Sequence, residues 1–539
     1  MPVKGPFFKW THYGLWLLLI LAGCANPLSP TGGPRDEDPP ELVAEGSTPA
    51  GQTRFRPREI ALAFDEWVKI QDAYRQIVVS PPLQYRYEVK LRKKTVILAF
   101  DEREQLRDSA TYVVNFGSAI RDLTEGNAAE NLQFVFSTGD QIDSFSVSGR
   151  LVDAYTGKPI DGALFLLYEN AADSVVRTER PFYFGRANKN GQFKVSNLKG
   201  GRFKAAALVD ADLNYLYNQP TEAFGFLDTL IAIDENTARD SLLLRLSVKP
   251  LPFRRVGVDT ASYGRVKVAF NQRADLVSRA ADSLAYPLAV QTDKDTLLLW
   301  SAARSPWQLT LSADSAYLDT LSIQPRSGQP APLKAAPAPK ALRLNPGLPL
   351  TVAFNQPLRA FDTSRMSLLV DTLRLPARFS VGADTLRPRQ ALVSAAWQEN
   401  KPYALQWLPG AVTDWFGQTN TDTVSYTFTI DARKNYGNLV LRFTDYPPRQ
   451  QYLVRVLEKS GREAAVLTLY GQAYYEFALN SLASGIYVLE TIYDENQNGR
   501  WDAGDYDLKR QPERVSIREL DPLRPNWDLE LDIPFEPEE

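Results

Sequence analysis

One seven-residue pattern recurs three times along the chain. Residues 60–66 read IALAFDE, 266–272 read VKVAFNQ and 350–356 read LTVAFNQ. Alternation puts Ile60, Leu62 and Phe64 on one face, then Val266, Val268 and Phe270, then Leu350, Val352 and Phe354. Period two marks a half-buried strand, whereas a helix repeats its apolar stripe every three to four residues. A strand with one apolar face has to bury it against another layer. An all-β chain of tandem β-sandwiches is therefore expected. The 37 prolines and the strand-favouring 24 tyrosines and 26 phenylalanines point the same way. At about 100–200 residues per domain, 539 residues suggest about three to five domains.

The chain has one histidine, His12, and one cysteine, Cys24. Lys4, Lys9 and His12 precede the apolar residues 13–21, YGLWLLLIL, and then Ala22, Gly23 and Cys24. The run is too short for a helix across a bilayer core of about 30 Å, and the order basic, apolar, small is that of a secretory signal. Residues 21–24, LAGC, resemble the bacterial lipobox. That resemblance implies a signal peptide over 1–23 and a diacylglyceryl thioether on Cys24, the expected lipidation site. Two or three acyl chains anchor stably where one does not. Ala25, where an aspartate would favour the inner membrane, points to the outer one. Residues 24–39, rich in proline, read as a lipidated tether. The expected location is the cell envelope, with the membrane as partner through the lipid.

A mature chain without histidine or usable thiol excludes Ser-His-Asp and Cys-His catalysis, and zinc or iron–sulfur sites built on those ligands. No catalytic residue is assigned, and the chain is expected not to be an enzyme. Net charge is −3 with no basic run, which argues against nucleic acid.

Over 40–139, the early Leu62-Ala63-Phe64-Asp65, the late Tyr112-Val113-Val114, the turn Asp122…Gly126-Asn127 and the terminal Phe134-Val135-Phe136-Ser137-Thr138 stand in order. This run resembles the SbsA-type bacterial Ig-like domain. Residues 340–431 carry a degenerate version, without the asparagine after Gly417. Residues 250–325 form a β domain that retains the first strand but not the turn. Its stretch 274–284 also reads as a short amphipathic helix. Over 144–245, Gly149…Asp153, Thr156-Gly157-Lys158-Pro159-Ile160, Asn190-Gly191 and Leu198…Gly201 resemble the transthyretin-like, carboxypeptidase-regulatory-like sandwich. Residues 436–534 look like a second copy, with Ser484-Gly485-Ile486-Tyr487 matching Gly200-Gly201-Arg202-Phe203. Residues 326–339 read as a Pro-rich linker, in a proline-rich stretch over 325–349 that is either a semi-rigid linker or a loop packed on its neighbours, and 535–539 as an acidic tail. Taken whole, the chain resembles envelope lipoproteins of Bacteroidota that join these modules. The resemblance implies a structural or binding scaffold, or a carbohydrate-binding or adhesive surface lipoprotein, whose partner is an envelope protein or glycan.

Two loops carry acidic patterns. In residues 494–505, Asp494, Asn496, Asn498, Gly499, Asp502 and Asp505 take positions 1, 3, 5, 6, 9 and 12 of the calcium-loop template. Alternate oxygens would converge on a hard cation while the glycine permits the turn. The other reading is a solvated loop held by Asx turns. In 210–218, Asp210, Asp212 and Asn214 keep the spacing, but Tyr215 replaces the glycine and position 12 has no acid. Calcium is the only cofactor considered. Tyr217 and Trp501 are expected to plug their turns from beneath. Trp300, Trp307, Trp397, Trp407 and Trp415 are either core residues or platforms for sugars.

Overall fold

The computed structural model describes residues 37–129, 132–234, 241–274, 277–281, 288–313, 317–340 and 342–536. Cys24 and the lipobox lie outside them. The described residues are all-β and form five β-sandwiches in tandem, each with its own apolar cluster. Among them no helix is long and apolar enough to cross a membrane.

The three recurring strands open three sandwiches of one design. In the first, Glu59–Phe64, Thr95–Ala99 and Glu88–Arg92 lie side by side, facing Val78–Ser80, Thr111–Asn115 and Gln133–Ser137. The second repeats this order with Arg265–Phe270, Thr296–Ser301 and Leu288–Asp293 over Ser278–Ala281, Trp307–Ala313 and Tyr317–Ile323. The third uses Leu350–Ala353, Gln390–Ala395 and Phe379–Ala383 over Met366–Val370, Pro402–Trp407 and Val424–Ile430. All nine apolar residues of the recurring pattern are buried. A small pair, Val68–Ile70 with Ile120–Asp122, recurs as Leu358–Phe361 with Val412–Asp414; among the described residues the second copy shows no counterpart. The helical reading of 274–284 is corrected where the structure describes it. Ser278–Ala281 is a strand paired with residues 309–312, because Leu309 and Leu311 on the partner strand are core.

The repeated Phe-Asp or Phe-Asn dipeptide has a common task. Asn355 takes the Lys334 N–H on its side-chain oxygen at 2.8 Å, gives its own N–H to Lys334 O at 3.1 Å, and donates its amide to Pro332 O at 2.9 Å. Asn271 makes the same three bonds to Arg254 and Pro252. Asp65, with no amide to donate, keeps the two to Glu41. Each sandwich is thus entered by Pro-x-(charged residue), pinned to the end of its first core strand. Of the two readings of the proline-rich stretch, the packed loop holds and the free linker over 326–339 does not. Leu333 is 1% exposed within the core of the sandwich that Leu350–Ala353 opens, and Ala336 accepts from Tyr426 Oη at 2.7 Å. Proline lacks an N–H but keeps its carbonyl, so a Pro-rich strand can still be held by side-chain donors.

Residues 145–248 and 436–534 share a second design. In the first, Gln192–Leu198, Phe145–Asp153 and Ser241–Val248 face Tyr183–Arg186, Leu164–Tyr168, Gly201–Leu208 and Ala223–Phe226, and one sheet runs continuously through both because Ala223–Phe226 pairs with Ser241–Val248. In the second, the orders are Tyr474–Ala483, Tyr436–Thr444, Asp528–Pro534 and Glu463–Tyr470, Gln451–Glu458, Tyr487–Asp494, Val515–Glu519. In both, the first and last strands pair parallel.

Candidate functional site

The two acidic loops occupy the same place in the two sandwiches of the second design, residues 145–248 and 436–534, and their hydrogen bonds correspond. Asp494 ends its strand fully buried. Its carboxylate accepts from Asn498 N at 3.0 Å, Gly499 N at 2.7 Å and the Gln451 amide at 2.6 Å. Asp210 accepts from Asn214 N at 3.2 Å and Tyr215 N at 2.9 Å. Gly499 has φ 76° and Tyr215 has φ 67°, so the tyrosine occupies a left-handed position that glycine would fill without strain. Asn496 and Asn498 both donate their amides to Asp502, the second at 2.9 Å. Asn214 donates to Asp212 at 2.8 Å.

Each loop is closed by a glutamate that the sequence pattern did not single out. Glu513 accepts from Glu495 N at 3.0 Å and Asp502 N at 2.9 Å. Glu222 accepts from Ala211 N at 3.2 Å and Asn218 N at 3.1 Å, the equivalent pair. Both glutamates are buried. A legible signal existed: each sits just ahead of the strand that follows its loop, Ala223–Phe226 or Val515–Glu519. Burial, with the charges of Asp502 and Asp494 beside it, pushes the Glu513 carboxyl up to about 7. Burial also raises Asp210. Asp210, Asp212 and Glu222 bring carboxylate oxygens within 4.8 Å of one another. Asp494, Asn496, Asn498 and Asp502 come together in the other loop. Asp505 turns elsewhere: its carboxylate meets Lys249 Nζ at 3.0 Å and Asp507 N at 3.0 Å.

The loops differ in length. Glu222 follows Asn218 by four positions, and Glu513 follows Asp502 by eleven. The extra residues of the second loop reach across to the sandwich of residues 145–248. Tyr506, 4% exposed, stands edge-on to Phe224 and Phe226 at 5.3 and 5.1 Å and donates to Asp173 O at 3.0 Å. Gly504 N donates to Ser247 Oγ at 2.9 Å, and the Gln511 amide reaches Phe226 O and Asp228. Lys249 bridges Asp505 and Asp507, Arg177 pairs with Asp507, and Asp173 takes both Lys204 and Lys509. Those two ammonium groups hold the Asp173 carboxyl down at about 2. Trp501 donates its indole N–H to Glu513 O at 2.8 Å, at the residue that closes its loop. It stands edge-on to Tyr155 of the other sandwich at 5.0 Å, whereas Tyr217 stacks on Phe224 at 4.3 Å.

Four of the five tryptophans in question, Trp300, Trp307, Trp397 and Trp407, are buried core residues, and Trp415 is half-buried with its indole N–H on Leu358 O at 3.1 Å. The buried four offer no exposed face to a sugar.

With this geometry in view, known proteins offer one sequence-level match. Residues 36–138 match the model of the bacterial Ig-like domain. The match begins ahead of Pro39-Pro40-Glu41, the entry segment that Asp65 pins. No curated protein matches the chain. Among solved structures, the chain is similar to the major pilin subunit of Bacillus cereus at 8% identity, over 73% of this chain and 99% of the pilin, with a TM-score of 0.13. It is similar to domains 1–6 of the surface layer protein SbsC at 8% identity, over 82% and 65%, with a TM-score of 0.14. It is also similar to SGBP-B of the Bacteroides ovatus mixed-linkage glucan utilization locus, solved with a heptasaccharide, at 8% identity over 69% and 89%, with a TM-score of 0.15. At these scores none of the three speaks to the ligands or partners of this chain.

Proposed function

We propose that this chain is a non-enzymatic, lipid-anchored protein of the cell envelope, held to the outer membrane through Cys24 and serving as a multi-domain scaffold. The observation that carries this reading is the insertion at 503–512. It spends an aromatic anchor and several ion pairs on fixing the last sandwich to the second one. Such a contact makes a stiff, folded-back array rather than loose beads on a string. In the longer loop Asp494 and Glu513 are occupied by backbone N–H groups, which supports a structural role for that loop. Replacement Cys24→Ser tests the anchor. The wild-type chain should incorporate a labelled fatty acid and sediment with membranes, and the variant should do neither. A variant that stays membrane-bound would overturn the anchor.

Calcium is proposed for the acidic loops, and the three convergent carboxylates favour Asp210, Asp212 and Glu222 over the Asp494 loop. Extracellular calcium modules bind at about 0.1–1 mM. At roughly ten times Kd, binding would stabilise by about 1.4 kcal/mol. The melting temperature should therefore rise by a few degrees on adding calcium. The rise should shrink in Asp212→Ala, whose carboxylate is exposed, and persist in Asp505→Ala. No calcium-dependent rise in the wild type would end the idea.

A further inference from the structure

The first Ig-like sandwich and the first transthyretin-like sandwich enclose an open cleft of about 380 Å³. Its lining is unusually rich in phenol rings: Tyr74, Tyr85 and Tyr87 come from one domain, and Tyr215 from the other. Tyr87 is held by its hydroxyl, which donates to Ile77 O at 2.9 Å, and its ring lies 5.8 Å from that of Tyr74. Tyr74 is 47% exposed. Two guanidinium groups share the cleft. Arg86 lies over the Tyr74 ring, 3.6 Å from its centre. Arg180 donates one N–H to Leu83 O at 2.7 Å and stands 6.0 Å from the Tyr215 ring. Among the described residues neither arginine forms an ion pair, although both are exposed and Asp212 lies on the same rim.

These parts select a chemistry. A guanidinium fork fits a carboxylate through two parallel hydrogen bonds, and an unpaired one beside a desolvating ring keeps that capacity. A phenol presents an apolar face and a polar rim. A pyranose ring has the complementary form, with C–H groups on its faces and hydroxyls around its edge. Peptide side chains do not require this combination of flat faces and forked cations, and the acidic chain does not suit nucleic acid. We propose that this cleft binds an acidic oligosaccharide, its carboxylates on Arg86 and Arg180 and its ring edges along the phenol rims, with the Tyr74 ring holding Arg86 in place from beneath. The proposal rests on the cleft alone and stands or falls separately from the scaffold reading.

Calorimetric titration of the full chain with oligogalacturonate tests it, in chelator so that calcium cannot bridge the carboxylates. A neutral galactose oligomer of equal length and an acidic proline-rich peptide serve as competing probes. The uronate should bind, and at least tenfold more tightly than either competitor. Arg86→Ala and Tyr74→Ala, both at exposed positions, should each weaken that binding at least tenfold while melting like the wild type. Three results would overturn the proposal: no uronate binding by the wild type, unchanged affinity in both variants, or a neutral sugar or peptide that binds as well.

Discussion

Tyr506→Ala should destabilise the C-terminal sandwich by about 3–5 kcal/mol, the usual cost of removing a buried aromatic side chain. The ring is wedged between Phe224 and Phe226 and also loses its bond to Asp173 O. Tyr506→Phe keeps the ring and removes only the hydroxyl, so about 1 kcal/mol is expected. Leu508→Ala, two residues away and 70% exposed, should stay within about 0.5 kcal/mol of wild type. Urea unfolding measures all three. Trypsin gives a second readout, because Lys509 and Arg510 should become cleavable once Tyr506 no longer holds the segment down. A Tyr506→Ala midpoint equivalent to less than about 1 kcal/mol would mean that the contact does not tie the sandwiches together.

Gly149→Ala is the second large effect. Gly149 sits in the strand Phe145–Asp153, flanked by Gln192–Leu198 on one side and Ser241–Val248 on the other. A β-carbon there would lie 2.1 Å from Leu242 O and 2.8 Å from the ring of Phe193. The first obstacle is backbone, which cannot rotate aside, so the parallel pairing itself has to open. A loss of about 3 kcal/mol or more is expected, at or beyond the upper end of ordinary overpacking. Gly157→Ala makes a comparison: it meets nothing within 4 Å, and only its φ of 65° counts against it. Circular dichroism and thermal melting separate the two. If Gly149→Ala melts with Gly157→Ala, the close approach is not what requires the glycine.

The turn aspartates show how far a motif can be read. Asp122 and Asp414 occupy equivalent positions in the first and third Ig-like sandwiches. Burial would push Asp122 up, but N–H groups of Gly126, Asn127 and Glu125 outweigh it and hold the carboxyl below its usual range. Asp414 stands in a turn one residue shorter, where Phe416 N and Gln418 N both meet Oδ1; among the described residues its buried Oδ2 has no partner, and burial raises the carboxyl. The shorter turn was visible in the sequence; its electrostatic consequence was not.

Local pattern determined much of this protein. Period-two alternation identified the three core strands, because a pleated strand with one buried face leaves no other arrangement of its apolar residues. Pro332, Leu333 and Lys334 were equally present in the sequence, yet proline density read as a linker. Only the pairing with Asn355 shows that they enter a core. Glu222 and Glu513 stand just ahead of the strands that follow their loops, a position legible in the sequence, but only the fold shows that they are buried over those loops. The five central tryptophans could have served either core or ligand, since composition does not say which face meets water. The contact of Tyr506 with Phe224 joins residues 282 positions apart. No periodicity encodes such a meeting. It follows from how whole sandwiches pack, and there the tertiary structure alone decided.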